Sequence, residues 1–239
     1  RTYHNHTLLT TDSLLTGTSL IMTVISIEAS VGGGKSSVLE WLRDKLHCNI
    51  HPEPVHVWQS YGDRNLLDLY YQQPRRWAFT FQSLVYLSFL HNLPTKDSKK
   101  DNNSSVEIYE RLIESAVNVF IPFSVKNCNL ENHEANLFLD WHSFLSKTFR
   151  VTPDAYIYLR TTPAVCLDRI NKRNRFEERY LLYRDLEELH QLHEEWMSRV
   201  TEPVCVIDAT QPLLQVYESV SKIIKTLEKN DASKHLNVP

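Results

Sequence analysis

Between Ala29 and Ser37 the chain reads ASVGGGKSS. A loop poor in Cβ atoms lets successive backbone N–H groups turn onto an anion, and a helix starting behind it adds free N–H groups and the positive end of its dipole. Lys35 sits where an ammonium reaches the outer phosphates of a nucleoside triphosphate, and Ser36 where a hydroxyl ligates Mg²⁺. Ala29, Ser30, Val31, Gly32, Gly33, Gly34, Lys35, Ser36 and Ser37 are therefore candidate phosphate-binding residues. Ala29 takes the place of the first glycine in the pattern G-x-x-x-x-G-K-[ST]. If that place needs φ > 0, alanine is strained by about 1 kcal/mol; if it needs only a small side chain, nothing is lost. The competing reading is a plain Gly-rich turn between a strand and a helix.

Three other groupings carry charge where chemistry is possible. Glu53 precedes Pro54, which biases it away from the helical region and makes a stiff mount for a carboxylate. Glu110-Arg111 ends an apolar run, the place where ligand crevices of open α/β sheets lie. Arg169, Arg173 and Arg175 precede Glu177-Glu178 and could close over transferring phosphates. Against these stand the bland readings of a solvated Glu, a structural ion pair and a solvated helix end.

The elements that must hold these groups alternate. The β-branched run of Val24, Ile25 and Ile27 predicts a buried strand, and Val38, Leu39, Trp41, Leu42 and Leu46 a helix behind the loop. Val55 and Val57 alternate with polar neighbours, so Asn49 to Trp58 predicts a second short strand or its exit. Leu66–Tyr71 predicts a short helix and Arg76–Leu93 a long one, on which Gln82, Val85 and Phe89 share a face. One amide among apolar groups could hold a planar base; a plain core helix fits equally well. Pro94–Ser105 predicts a surface loop. Further along come a strand at 106–111, a helix over 112–122, a loop over 126–135, a helix at 137–149 and a strand at 154–160. A helix from Thr161-Thr162-Pro163 to Glu178 follows, then a charged helix at 180–199, a strand at 204–209 and a helix at 213–229. This alternation predicts an α/β fold with a five-stranded parallel sheet covered on both faces.

Composition sets broad limits. The 239 residues suffice for one α/β domain, 42% are hydrophobic and 23% charged, and the net charge of −3 gives no general attraction to nucleic acid or anionic membranes. No apolar run approaches a membrane-spanning length. The four cysteines are scattered without a C-x-x-C pair, which points to a reducing, intracellular compartment, mitochondrial or cytoplasmic. Residues 1–21 read as a disordered leader, with Met22 an alternative start, residues 22–229 as one domain, and residues 230–239 as a frayed tail.

Taken together, EASVGGGKSS, PEPVHVW, LYYQQPRRWAFTFQ, the Glu110-Arg111 pair, DAYIYLRTTP, RINKRNRFEE and LEELHQLHEEW resemble the deoxyribonucleoside kinase family, above all its insect multisubstrate and mitochondrial thymidine kinase branch. The likeness runs from Met22 to about Lys229 and implies a P-loop kinase fold with an arginine-rich lid. It implies transfer of a phosphoryl group from ATP, with Mg²⁺, to the 5′-hydroxyl of a deoxynucleoside. It makes Glu53 the general base, Arg111 and Lys35 the groups on the reacting oxygens, and Ser36 and Glu110 the Mg²⁺ positions. Trp58, Tyr71, Gln82, Val85, Phe89, Ala116 and Glu178 become nucleoside contacts, and Arg169, Arg173 and Arg175 the lid. Uncharged Phe89 and Ala116 leave room for a 5-methyl group and favour thymidine, with deoxycytidine also accommodated. Leu112 follows Glu-Arg where relatives have serine, and Asn171 stands where they often have a lid arginine. A homodimer through the faces of residues 77–93 and 112–121 is implied, with no nucleic-acid or membrane partner. The alternatives kept open are a catalytically weak nucleotide-binding homologue and a nucleoside monophosphate kinase.

Overall fold

The computed structural model describes residues 23–46, 48–93 and 106–235, with side chains through 228. The expectations for the 1–21 leader, Met22 and the Pro94–Ser105 loop lie outside the described residues. Five parallel strands form the sheet: β1 (Thr23–Glu28), β2 (Asn49–His51), β3 (Val106–Glu110), β4 (Ala155–Arg160) and β5 (Val204–Asp208), in the order β2-β3-β1-β4-β5. The chain leaves β1 toward β2 and β3 on one side and later continues to β4 and β5 on the other. The order therefore reverses beside β1, and the crevice opens at the strands' C-terminal ends, where Glu28, Glu110 and Arg160 stand.

The period of two along each strand separates two cores. Ile25, Ile27, Val106, Ile108, Ile157, Leu159 and Ile207 face the helices α1 (Lys35–Lys45) and α10 (Leu213–His235), which contribute Val38, Leu39, Leu42, Val216, Val220 and Ile224. Their neighbours Glu28, Glu107, Tyr109, Tyr156 and Tyr158 point the other way. That second face is the one with polar groups on it, and it carries the crevice.

Helices over the second face set the site. α2 (Val55–Gln59), α3 (Leu66–Gln72) and α4 (Pro74–His91) follow β2; α5 (Ile113–Ser115), a π turn (Ala116–Phe120) and α6 (Ile121–Lys126) follow β3. α7 (Asn132–Thr148), α8 (Pro163–Arg173), a 3₁₀ turn (Phe176–Tyr180) and α9 (Tyr183–Met197) complete the layer. Several of these differ from the sequence expectation for identifiable reasons. Val55 and Val57 lie on a helix, because Pro54 starts a turn in which the Val57 N–H donates to the Pro54 carbonyl at 3.0 Å; Asn49–His51 alone is strand. The helix expected over 112–122 is broken by a π turn and extends to Lys126. Pro122 has no N–H to place in the ladder, and the Ile121 N–H reaches back to Ala116 instead. α7 starts at Asn132, inside the expected loop, because Glu131 and Glu134 form a capping box. α8 stops at Arg173 rather than running to Glu178, with Asn174 in the left-handed region at φ 51°. α10 continues past Lys229 to His235, as its polar end contains neither glycine nor proline.

Leu112, Ile113, Ala116, Val119 and Ile121 are buried, so the segment 112–121 offers little apolar surface to a partner. Exposed apolar groups include Leu137, Leu139, Trp141 and Phe144 on α7 and Leu87 on α4, with others between Phe176 and Tyr183, on β5 and at the start of α10. No described helix is long and apolar enough to cross a membrane.

Candidate active site

The phosphate loop leaves β1 at Ala29 and re-enters structure at Lys35, the first residue of α1. Gly32 (φ 79°) and Gly34 (φ 95°) take the left-handed conformation that only glycine adopts at little cost. Ala29 is not among the described residues with positive φ, so its methyl group brings no backbone strain. That methyl has another consequence: a Cβ on Gly33 would lie 2.5 Å from Ala29 Cβ. The loop is also held from behind. Arg169 donates to the carbonyls of Gly33 (3.4 Å) and Ala209 (2.7 Å), and the Thr161 hydroxyl to Gly33 (3.4 Å).

At the mouth of the loop the charged candidates meet. The Ser36 hydroxyl donates to Glu110 Oε1 at 2.8 Å, and Glu110 Oε2 accepts from the Glu53 backbone N–H at 3.3 Å. Arg111 Nη1 lies 2.7 Å from Glu53 Oε1, while Nη2 donates to the Ala29 carbonyl at 2.8 Å. One guanidinium thus ties the base candidate to the phosphate loop. Arg111 holds this pose with φ 64°, outside the range most side chains adopt, and its guanidinium lies 4.9 Å from the Phe120 ring centre. Behind it, the fully buried Glu28 accepts from Ser26 (2.7 Å) and Ser115 (2.8 Å).

These neighbours shape the titrations. Burial, and then the positive charge of Arg111, push the Lys35 amine down to about 8, against the pull of Glu53, Glu110 and Glu28. Burial would raise Glu53, but Arg111 and Lys35 outweigh it and hold the carboxyl below the usual carboxylate range. Glu53 is therefore ionised at neutral pH and able to accept a proton. Burial raises the buried Glu28 despite Arg111.

From this charged end a pocket with about 890 Å³ of empty space, counting its open mouth, runs under α4. Trp58, Tyr71, Gln82, Val85, Phe89 and Glu178 line it, as expected, together with Lys35, Ser36, Glu53, Glu110 and Arg111. The Trp58 indole is fixed by its N–H to Ser88 Oγ (3.0 Å) and stands edge-on to Phe81 and Phe89. Gln82 is 2% exposed, and its Oε1 has no hydrogen-bond partner. A buried amide oxygen left unpaired costs about 1–3 kcal/mol, which makes Gln82 Oε1 a candidate acceptor on the pocket wall. Across the mouth, Glu178 accepts from Arg173 (2.7 Å) and Arg175 (3.0 Å). Their turn is anchored by Glu177, which accepts from Gln59 (3.0 Å) and Asn65 (2.7 Å).

Not every candidate reaches the pocket. Among the loop residues, Val31, Gly32, Lys35 and Ser36 line it; Ala29, Ser30, Gly33, Gly34 and Ser37 shape the loop without doing so. Arg169 is committed to the carbonyls behind the loop. Ala116 is fully buried in the core shared with Val85 and Phe89, where it sets the space behind the lining. Leu112 is buried and Asn171 exposed. Sequence reasoning missed Phe120 and Phe123, which line the wall. Their spacing is that of any buried helical face; Phe120 ends the π turn and Phe123 lies on α6 just after it.

A family model described as "Deoxynucleoside kinase" matches residues 25–230. Curated relatives include "Thymidine kinase 2, mitochondrial" from Macaca fascicularis, 32% identical over 215 residues that cover 86% of this chain and 78% of the relative. "Deoxycytidine kinase 2" from Gallus gallus is 33% identical over 74% of each chain. "Deoxycytidine kinase" from Homo sapiens is 30% identical over 84% of this chain and 89% of the relative. A parallel sheet with a phosphate loop at its crevice, an ionised carboxylate facing that loop and a match over most of the chain agree: the protein belongs to the deoxynucleoside kinase family and is a phosphotransferase of that kind.

Proposed function

We propose that the protein transfers the γ-phosphoryl group of ATP to the 5′-hydroxyl of a deoxynucleoside, with thymidine preferred and deoxycytidine next. The observation that carries this reading is the Glu53–Arg111 pair, 2.7 Å apart, in one pocket with Lys35 at one end and the unpartnered Gln82 amide at the other. Base, sugar and reacting oxygen of a nucleoside are each met by a matching group along that line. Gln82 pairs with the edge of a pyrimidine while Trp58 and Phe120 hold its ring. Tyr71 and Glu178 take the 3′-hydroxyl.

The 5′-hydroxyl then lies beside Glu53. An alcohol is a weak acid, so Glu53 holds it in line and accepts its proton as the new P–O bond forms. Arg111 and Lys35 meet the charge that develops on the transferring oxygens, and Arg173 and Arg175 add to it from the lid. The Ser36 hydroxyl and Glu110 carboxylate are oxygen donors suited to Mg²⁺, which is commonly held by one or two protein oxygens plus phosphates. When bound, that ion neutralises phosphate charge. Among the described residues there is no cluster of three or more His, Cys, Asp or Glu suited to a metal.

Neither Phe89 nor Ala116 brings a charge near the base, which leaves room for a 5-methyl group. A homodimer through the exposed faces of α4 and α7, rather than through 112–121, fits the surface. The unpaired cysteines fit an intracellular setting. A competition assay with labelled ATP and the four natural deoxynucleosides tests the reading. Thymidine and deoxycytidine are expected to be converted to 5′-monophosphates ahead of the purines. A folded sample that phosphorylates none of them, or that accepts thymidylate instead, refutes it.

A further inference from the structure

β2 lies at the edge of the sheet and is only three residues long, yet it delivers Glu53 two residues later. Its backbone pairs with β3 alone, from Asn49↔Glu107 to His51↔Tyr109. So short a ladder is a weak hold on a side chain whose position must be kept within a fraction of an ångström. On the polar face of the sheet a second hold is visible. Glu107 Oε1 accepts from Asn49 Nδ2 at 2.6 Å, and Glu107 Oε2 lies 2.5 Å from His51 Nε2. The His51 ring also stacks on Tyr109, with centres 4.2 Å apart and planes within 10°. One carboxylate of β3 therefore closes on two side chains of β2. Two residues further along the same two chain segments comes Glu53 with Arg111.

We propose that Glu107, His51 and Asn49 form a positioning clasp that fixes the end of β2 and so the place of the Glu53 carboxylate. The inference rests on the reading of Glu53 as the base. None of the three lines the nucleoside pocket, so they act through Glu53 and not on the reactants. The clasp tolerates either state of His51, since a neutral imidazole protonated at Nε2 still donates to Glu107. Without it, the Glu107 bonds are lost and β2 is left to its backbone ladder, the His51–Tyr109 stack, the Glu53 N–H bond to Glu110 and the Arg111 bond. Displacement of a reacting group by about 1 Å costs on the order of a hundredfold in rate.

The test uses the full chain with Glu107→Ala, Glu107→Gln and His51→Ala, the last at a partly exposed residue. Turnover is measured per active site, counted from thymidine binding stoichiometry by calorimetry, alongside KM for thymidine and ATP. The expected result is a kcat about tenfold or more lower in both alanine variants, with both KM values within about twofold of wild type. Glu107→Gln is expected to keep most of the turnover, because its amide accepts from Asn49 and donates to neutral His51. Alanine variants with wild-type kcat per site, or a Gln variant as slow as Ala, overturn the clasp while leaving the kinase reading intact. Wild-type protein that phosphorylates no nucleoside overturns the kinase reading and the clasp with it.

Discussion

Lys35→Met should stabilise the fold while it destroys function. The Lys35 side chain is 6% exposed, and burial together with Arg111 lowers its amine from the ordinary 10.5 to about 8. Holding that group charged near pH 7 therefore costs the folded state about 3 kcal/mol relative to a neutral side chain of the same length. The sign follows from proton counting. The unfolded chain keeps its lysine protonated up to about pH 10.5, whereas the folded one releases the proton near pH 8. Between those limits the unfolded state binds more protons, and stability rises with pH. In urea denaturation without ATP, Lys35→Met should exceed wild type by about 3 kcal/mol near pH 7 and by markedly less near pH 9.5. Taking the difference between the two proteins cancels the other titrating groups. ATP should restore the charge, so binding near pH 8.5 takes up a proton, visible as a dependence of calorimetric heat on the buffer. A methionine variant no more stable than wild type near pH 7, or a gap that does not narrow as pH rises, refutes the reasoning.

Glu53→Gln keeps the shape of the acceptor site but removes the proton acceptor, and kcat should fall by about 10²–10⁴-fold with nucleoside binding retained; steady-state kinetics with turnover near wild type would contradict the role. Gly33→Ala would place a Cβ 2.5 Å from Ala29 Cβ and 3.0 Å from the Ser30 carbonyl, and should cost about 1–3 kcal/mol of stability by overpacking. Ala29→Gly in the same chain should recover part of that loss in denaturant melts, and no recovery would mean the two positions are not coupled. Glu178→Gln releases Arg173 and Arg175 from their carboxylate, so ATP should bind more tightly at low salt while KM for the nucleoside rises; calorimetry showing weaker ATP binding would count against the lid assignment.

What the sequence makes legible depends on how local the cause is. The phosphate loop is readable because its glycines, lysine and serine act within a few residues of one another, and strand–helix alternation gives the parallel sheet for the same reason. Glu53 and Arg111 each stand out locally, through a proline and a strand end, but their 2.7 Å approach depends on β2 and β3 being neighbours. The misread segments are those where one residue overrules a pattern. Pro54 turns an alternating Val-His-Val into a helix, and Pro122, with no N–H for the ladder, breaks the helix expected over 112–122 with a π turn. Arg169 shares a helix with Arg173 but faces the back of the loop, a distinction that a run of like charges does not express. The Glu107 clasp was invisible for another reason: its three members are 58 positions apart at most, and none belongs to a motif.

Several charged and polar groups of the pocket already have a partner of opposite character inside the protein. Glu53 has Arg111, Glu178 has Arg173 and Arg175, and the Ser36 hydroxyl has Glu110. A buried ion left alone would cost several kcal/mol, so without such pairing this many charges could not sit around one cavity. The pairing also sets what can bind. On the proposed reading, nucleoside hydroxyls meet Glu53 and Glu178 beside their arginines, and phosphate oxygens meet the arginines and Lys35. A molecule offering phosphate alone leaves Glu53 facing negative charge, and a nucleoside alone leaves Lys35 without an anion of its own. On that reading a phosphoryl donor and a hydroxyl acceptor together engage the set, and Gln82, whose Oε1 has no partner inside the protein, is where the acceptor's base is proposed to bind.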